Sequence, residues 1–228
     1  MAKKSERAGD RLVAVEGALS STEQFIEQNQ KIITIVVGII VVIVLGYFGY
    51  KKFYLAPMNK EAKSEMFMAE LYFQKDSLNK ALLGDGNYPG FIDIADQYGS
   101  TKAGNLANYY AGIIYLKQGD FETAIDYLQD FESEDQVIGP MALGAMGDAY
   151  IELGEPEKAV NYYLKAANTH INEFVTPIFL MKAGWAYEEN GNYDKALRIY
   201  KRIKKDFNRS NEARDIERYI ERAEAMAS

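Results

Sequence analysis

The hydrophobic pattern changes character twice along the chain. Residues 32–50, IITIVVGIIVVIVLGYFGY, are nineteen consecutive positions without a charge, closed by Lys31 on one side and by Lys51 and Lys52 on the other. At about 1.5 Å rise per residue such a run spans roughly 28 Å, near the thickness of a bilayer's hydrocarbon core. A helix at the surface of a soluble domain would keep a polar stripe, and this run has none. Tyr47, Phe48, Tyr50, Phe53 and Tyr54 gather at its lysine-flanked end, as interfacial aromatics do. The pattern predicts a membrane-anchor helix over 22–56, transmembrane over about 32–50. A cleaved signal peptide is the competing reading. The long, mixed-charge lead, the length of the apolar run and the lack of an A-x-A-like site before Pro57 speak against it.

Ahead of the run, residues 1–21 form a polar tail, read as disordered over its first ten or so positions. Leu12, Val13, Val15 and Leu19 could make one amphipathic turn. Ser20-Ser21-Thr22-Glu23 has the form of a capping box, so one helix is expected from about Thr22 to Leu55, ended by Pro57.

Beyond Pro57 the apolar residues Met66, Phe67, Ala69, Leu71, Tyr72, Phe73, Leu78, Ala81 and Leu82 recur at helical spacing. Gly84–Gly90 breaks the pattern. It lacks the Lys-Ser/Thr of a phosphate loop and follows no strand, so it reads as a connecting turn. A short helix over Phe91–Gly99 would set Phe91, Ile94, Ala95 and Tyr98 on one face.

From Gly104 onward the chain repeats itself. Segments 108–128, 143–164 and 180–200 each carry a glycine, a tyrosine three later, a glycine four after that and an alanine five beyond. These are Gly112/Tyr115/Gly119/Ala124, Gly147/Tyr150/Gly154/Ala159 and Gly184/Tyr187/Gly191/Ala196, offset by 35 and then 37 residues. The first glycine would let two helices approach, with the tyrosine filling between them. The second glycine sits past a helix end, where the left-handed conformation is open to it. Asp120 and Asn192 are candidate N-caps, and Pro156 suits a first helical turn. No such unit buries its apolar face alone, so neighbours must stack.

These three units resemble tetratricopeptide repeats over 105–208. They depart from that family in having Asn108, Leu143 and Leu180 where tryptophan is usual, and in lacking the closing proline. The resemblance makes 57–104 a degenerate leading repeat, with Tyr88, Phe91, Ala95 and Tyr98 in its second helix, and 209–228 a terminal capping helix over Ser210–Ala225. The expected fold is all-α: a single N-terminal transmembrane helix followed by a tetratricopeptide-repeat-like α-solenoid.

The order FIEQNQK, anchor, GYFGYKKF and repeat domain is similar to a narrower family, the YfgM-like ancillary subunit of the bacterial Sec translocon. That resemblance implies a single-pass inner-membrane protein with a cytoplasmic tail and a periplasmic repeat domain. The implied partners are translocon subunits, a periplasmic chaperone or prolyl isomerase, and unfolded clients emerging from export. The charge around the anchor points the other way. Lys31 lies on its N-side but Lys51, Lys52, Lys60 and Lys63 lie on its C-side, which favours a cytoplasmic C-terminal domain unless the long domain translocates regardless.

Charge and composition narrow the function. Of the net charge of −7, all belongs to residues 51–228, where 21 basic residues face 28 acidic ones. Such a domain repels phosphate backbones, so no nucleic-acid partner is expected. With no cysteine there is no disulfide or thiolate chemistry. The single histidine, His170, falls at the end of a helix, with no cysteine and no second histidine to join it. Asp93/Asp96 and Glu188/Glu189 read as solvated acidic faces rather than a glycosidase pair, and no serine sits on a nucleophile elbow. No cofactor, metal or enzymatic activity is expected.

Binding is the remaining class. In stacked helix pairs the first helices present positions 2, 5, 9 and 12 of each unit: Leu106, Tyr109, Ile113 and Leu116; Met141, Gly144, Asp148 and Ile151; Ile178, Met181, Trp185 and Glu188. A partner-binding groove is predicted from the apolar members Tyr109, Ile113, Leu116, Met141, Ile151, Ile178, Met181 and Trp185. The alternative is that the leading or terminal helix of the same chain fills it. The chain is thus expected to be a membrane-anchored interaction scaffold. A cytoplasm-facing tethered scaffold and an enzyme of unrecognised type are the alternatives.

Overall fold

The computed structural model describes residues 27–227, which are helical with no strand among them. They divide into two parts between Pro57 and Met58. The expected disordered tail, amphipathic turn and capping box lie outside the described residues.

In the first part, α1 (27–50) passes into a π-wound segment, Lys51–Leu55. Its valine and isoleucine side chains are exposed all round. Tyr50 stacks on Tyr54 at 5.2 Å and Lys52 lies 5.8 Å from the Phe53 ring centroid. By length and composition the helical run Glu27–Gln74 is sufficient to cross a membrane.

Pro57 does not end the helix as expected, for winding continues through α2 (Ala56–Gln74). Proline removes one N–H and its ring crowds the carbonyl four residues back. The π turn just upstream, where the Ala56 amide reaches the Lys51 carbonyl, widens the winding at that place.

In the second part, α2, α3 (Leu78–Leu83) and α4 (Phe91–Tyr98) occupy the leading unit. Three helix pairs follow: α5 (Lys102–Gln118) with α6 (Phe121–Gln129), α7 (Ile138–Glu152) with α8 (Pro156–Thr169), and α9 (Thr176–Glu189) with α10 (Tyr193–Asp206). The final helix is α11 (Ile216–Ala227). Ala62, Met66 and Ala69 of α2 bury with Phe91, Ile94 and Ile114. A larger cluster runs from α8 to α11 through Leu180, Tyr200, Ile203 and Ile216.

The Gly84–Gly90 turn is tied by Asp85. Its carboxylate accepts the Asn87 and Tyr88 amides at 2.9 Å and the Tyr72 hydroxyl at 2.7 Å. Tyr88 therefore stands exposed in this loop rather than in the following helix, which starts at Phe91 after the N-cap Gly90. The terminal helix likewise starts later than expected, at Ile216, because the Ser210 hydroxyl accepts the Ala213 amide in a turn.

The glycine pattern has a steric basis. A Cβ at Gly112 would collide with Leu128, one at Gly147 with the Tyr163 ring and one at Gly184 with the Tyr200 ring. Each first helix thus lies against its partner at a distance only glycine allows. Tyr115 and Tyr150 stack on Tyr127 and Tyr162 of those partners, at 5.4 and 5.2 Å. The second glycines, Gly119, Gly154 and Gly191, have φ of 82°, 71° and 69°. In each case the glycine amide donates three residues back, and the following amide donates to the repeat tyrosine's carbonyl. Asp120 caps α6 by accepting the Thr123 amide at 3.2 Å. Asn192 does not cap α10 through its side chain, which donates to the Asn190 carbonyl instead.

Candidate interaction surface

The eight predicted groove residues divide into three groups in the structure. Tyr109, Ile113 and Leu116 of α5 are half-buried, packed against the cluster formed by Leu128, Ala142, Ala145 and Met146. Their apolar area is spent largely on the joint between the first and second units. Met181 is 5% exposed and belongs to the core shared by α8 to α11, so it does not line an open groove. The same position in the preceding unit, Gly144, faces the Phe179 ring so closely that a Cβ would collide with it. Position 5 of these units is taken up by the packing of one unit on the next.

Met141, Ile178 and Trp185 remain exposed, and Ile151 is half-buried. Leu116 and Ile151 share a hollow of about 620 Å³ with Phe121, Asp148 and Tyr163. Trp185 keeps 46% of its surface, with its ring 6.2 Å from Tyr219 of α11. Tyr219 also packs on Tyr200 at 5.5 Å. The terminal helix thus covers one side of Trp185 and leaves the other open.

A polar network crosses this side of the array. The Tyr163 hydroxyl donates to Asp148 at 2.6 Å, and Lys182 Nζ donates to both oxygens of the same carboxylate at 2.7 Å. Burial first, and then the Asp148 hydrogen bond, push the Tyr163 phenol far above its usual range. One unit further on, Arg222 of α11 forms an ion pair with Glu188 of α9 and stacks over Tyr219. The Glu188 hydrogen bond raises the Arg222 pKa further. Lys182 and Asp148 are 34 residues apart, as are Arg222 and Glu188. This spacing is the available sequence signal for both pairs, hidden because all four residues lie outside the repeated glycine, tyrosine and alanine positions.

Tyr200 holds the place of Tyr163 one unit later, 37 residues on, where Trp185 replaces Asp148. The Tyr200 hydroxyl is buried beside the Glu188–Arg222 ion pair and lacks the well-formed carboxylate hydrogen bond that Tyr163 has. The exposed ring at Trp185 thus stands where a hydrogen-bond acceptor would otherwise serve the core.

Among the described residues no group of three His, Cys, Asp or Glu side chains could hold a metal ion. His170 is the C-cap residue of α8. The arrangement offers apolar contact and charged hydrogen-bonding groups.

Residues 106–135 and 141–211 match two models of the tetratricopeptide repeat. No curated protein matches the chain. Among solved structures it is similar to a crystal structure of nearly identical TPR-like repeats ascribed to a Podosopora anserina kinesin light chain. The TM-score is 0.52 with 12% identity, over 74% of this chain and 87% of that one. At that identity the likeness speaks for the fold alone. The helix pairs over 106–135 and 141–211 are thus tetratricopeptide repeats.

Proposed function

We propose that this protein is a membrane-anchored interaction scaffold, with α1 as a single transmembrane helix and the repeat array as the partner-binding domain. Tetratricopeptide repeats suggest a scaffold for protein–protein contacts. The observation that carries the reading for this chain is Trp185, half open beside Tyr219 on a face that also exposes the Leu116–Ile151 hollow. Large aromatic side chains at the centre of such faces dominate binding energy. The anchor rests on the uninterrupted apolar run and the aromatics beside Lys51 and Lys52.

The likeness of its layout to the ancillary subunit of the Sec translocon supports a more specific role. The repeat domain would stand in the periplasm of a bacterial inner membrane, holding a chaperone or isomerase near emerging clients. Crosslinking in intact membranes, followed by identification of attached proteins, tests this. Translocon subunits or a periplasmic chaperone among the products would support it, and cytoplasmic proteins alone would overturn it. The second reading is a scaffold facing the cytoplasm, favoured by the lysines at 51, 52, 60 and 63. A reporter active on only one side of the membrane, fused after Ser228, separates the two.

A further inference from the structure

A second apolar surface lies at the start of α7 and α9, two turns before Trp185 on the latter helix. Val137, Ile138 and Met141 are exposed there beside the first loop, and Ile171, Phe174 and Ile178 beside the second. Phe174 is 82% exposed and Ile171 65%, values that a core-forming side chain does not show. Val137 and Phe174 are 37 residues apart, as are Met141 and Ile178, so they hold equivalent places in successive units.

These loops are fixed by their own side chains. The Asp135 carboxylate accepts the Val137 and Ile138 amides at 2.8 and 2.9 Å. The Asn172 side-chain oxygen accepts the Phe174 and Val175 amides at 2.9 and 2.8 Å. Its NH₂ group donates to the Gln136 carbonyl at 3.3 Å, joining one loop to the other. Apolar groups held in this way lose little freedom when a partner arrives. Between Phe174, Ile178 and the turn over 206–212 lies a hollow of about 650 Å³, within the range of binding clefts.

The charge around this edge has one dominant sign. The hollow is lined by the carboxylates of Glu173, Asp206 and Glu212 against the single cation of Arg209. Glu132, Glu134 and Asp135 stand on the first loop and Glu173 on the second. None of these four forms an ion pair among the described residues.

We propose that this edge docks a protein segment carrying a large apolar side chain flanked by lysines or arginines. Apolar contact with Phe174 and its neighbours supplies the affinity, and the carboxylates select the sign of the partner. The same carboxylates oppose an anionic lipid surface. This inference does not rest on the membrane reading; it shares Met141 and Ile178 with the predicted groove, and substitutions at Phe174 and at Trp185 separate the two.

The test uses the full chain purified in detergent and the immobilised peptide Lys-Lys-Leu-Phe-Ile-Leu-Lys-Lys, with a counterpart in which glutamate replaces every lysine. Interferometry should show the lysine peptide binding at least ten-fold more tightly. The double substitution F174S/I171S should weaken that binding ten-fold or more with the helical circular dichroism unchanged. The pair E134K/E173K should weaken it similarly and reduce its salt dependence, while W185A should leave it intact. Equal binding of the two peptides overturns the proposal, as does loss in W185A with retention in F174S/I171S. Two other results reassign the surface and overturn it equally. One is self-association abolished by F174S/I171S, which points to a second copy of the chain. The other is crosslinking of a photoreactive probe at position 174 to phosphatidylcholine in vesicles that hold the full chain, which points to lipid.

Discussion

Lys182 reaches back 34 residues, from α9 to α7, to place its ammonium 2.7 Å from both carboxylate oxygens of Asp148. The Asp148 carboxylate also accepts the Tyr163 hydroxyl, so one side chain joins three helices. The ion pair is partly solvated, with side-chain exposures of 31% and 37%, and should contribute no more than about 1 kcal/mol. Leaving the buried Tyr163 hydroxyl without an acceptor should cost about 1–3 kcal/mol. Asp148→Ala is therefore expected to destabilise the array more than Lys182→Met. Thermal unfolding of the two variants in detergent checks the order, and a larger loss for Lys182→Met would refute it.

Gly147→Ala should destabilise by about 1–3 kcal/mol, because the added methyl meets the Tyr163 ring in a packed interior. The double substitution Gly147→Ala/Tyr163→Ala should cost less than the sum of the singles, since the clash vanishes with the ring. Strict additivity in denaturant unfolding would show that the close approach is unimportant.

Trp185 is the sole tryptophan, so its emission reports on one place only. Tyr219→Ala should shift that emission to longer wavelength and increase quenching by acrylamide, because the ring 6.2 Å away is removed. An unchanged spectrum would mean that α11 does not shield the indole in solution. Trp185→Asp supplies the acceptor present as Asp148 in the preceding unit and absent for the Tyr200 hydroxyl. It should abolish partner capture on this face without lowering the unfolding temperature. A collapse of the fold in that variant would sink the comparison between the two units.

The Tyr72 hydroxyl first, then the Asn87 and Tyr88 amides, hold the Asp85 carboxyl below its ordinary range. A folded-state pKa depressed in this way gives stability that is complete above the unfolded value and is lost as pH falls through the folded one. The Gly84–Gly90 turn should therefore loosen only below the usual carboxylate range. Amide exchange at Asn87 and Tyr88, corrected for intrinsic rates, should show protection falling with acid in the parent chain. Asp85→Asn should remove that dependence. Its persistence in the variant would assign the effect to another group.

The repeats were legible because four positions in each unit answer to steric needs. A glycine must face Leu128, Tyr163 or Tyr200, and another must take positive φ after the helix. Such needs leave a fixed residue at a fixed spacing. The open face was less legible. A helical position says which side a residue takes, but not whether a neighbouring unit covers that side. Met181 is buried and Trp185 is half open, though helical spacing sets both on one face. Phe174 and Ile171 escaped notice because loop residues carry no periodicity to mark them. Pro57 misled for another reason, since a π turn can absorb a proline that an α-helix cannot.

The 34-residue reach of Lys182 and Arg222 has a mechanical side. Each clamp ties a first helix to the one before it, beside the apolar core that α8 to α11 share. The last helix is held to α9 by Arg222 and Glu188 and to α10 by the Lys201–Glu224 and Lys204–Glu217 pairs. Removing α11 would therefore release both helices of the third unit at once and bare the side of Trp185 that Tyr219 covers.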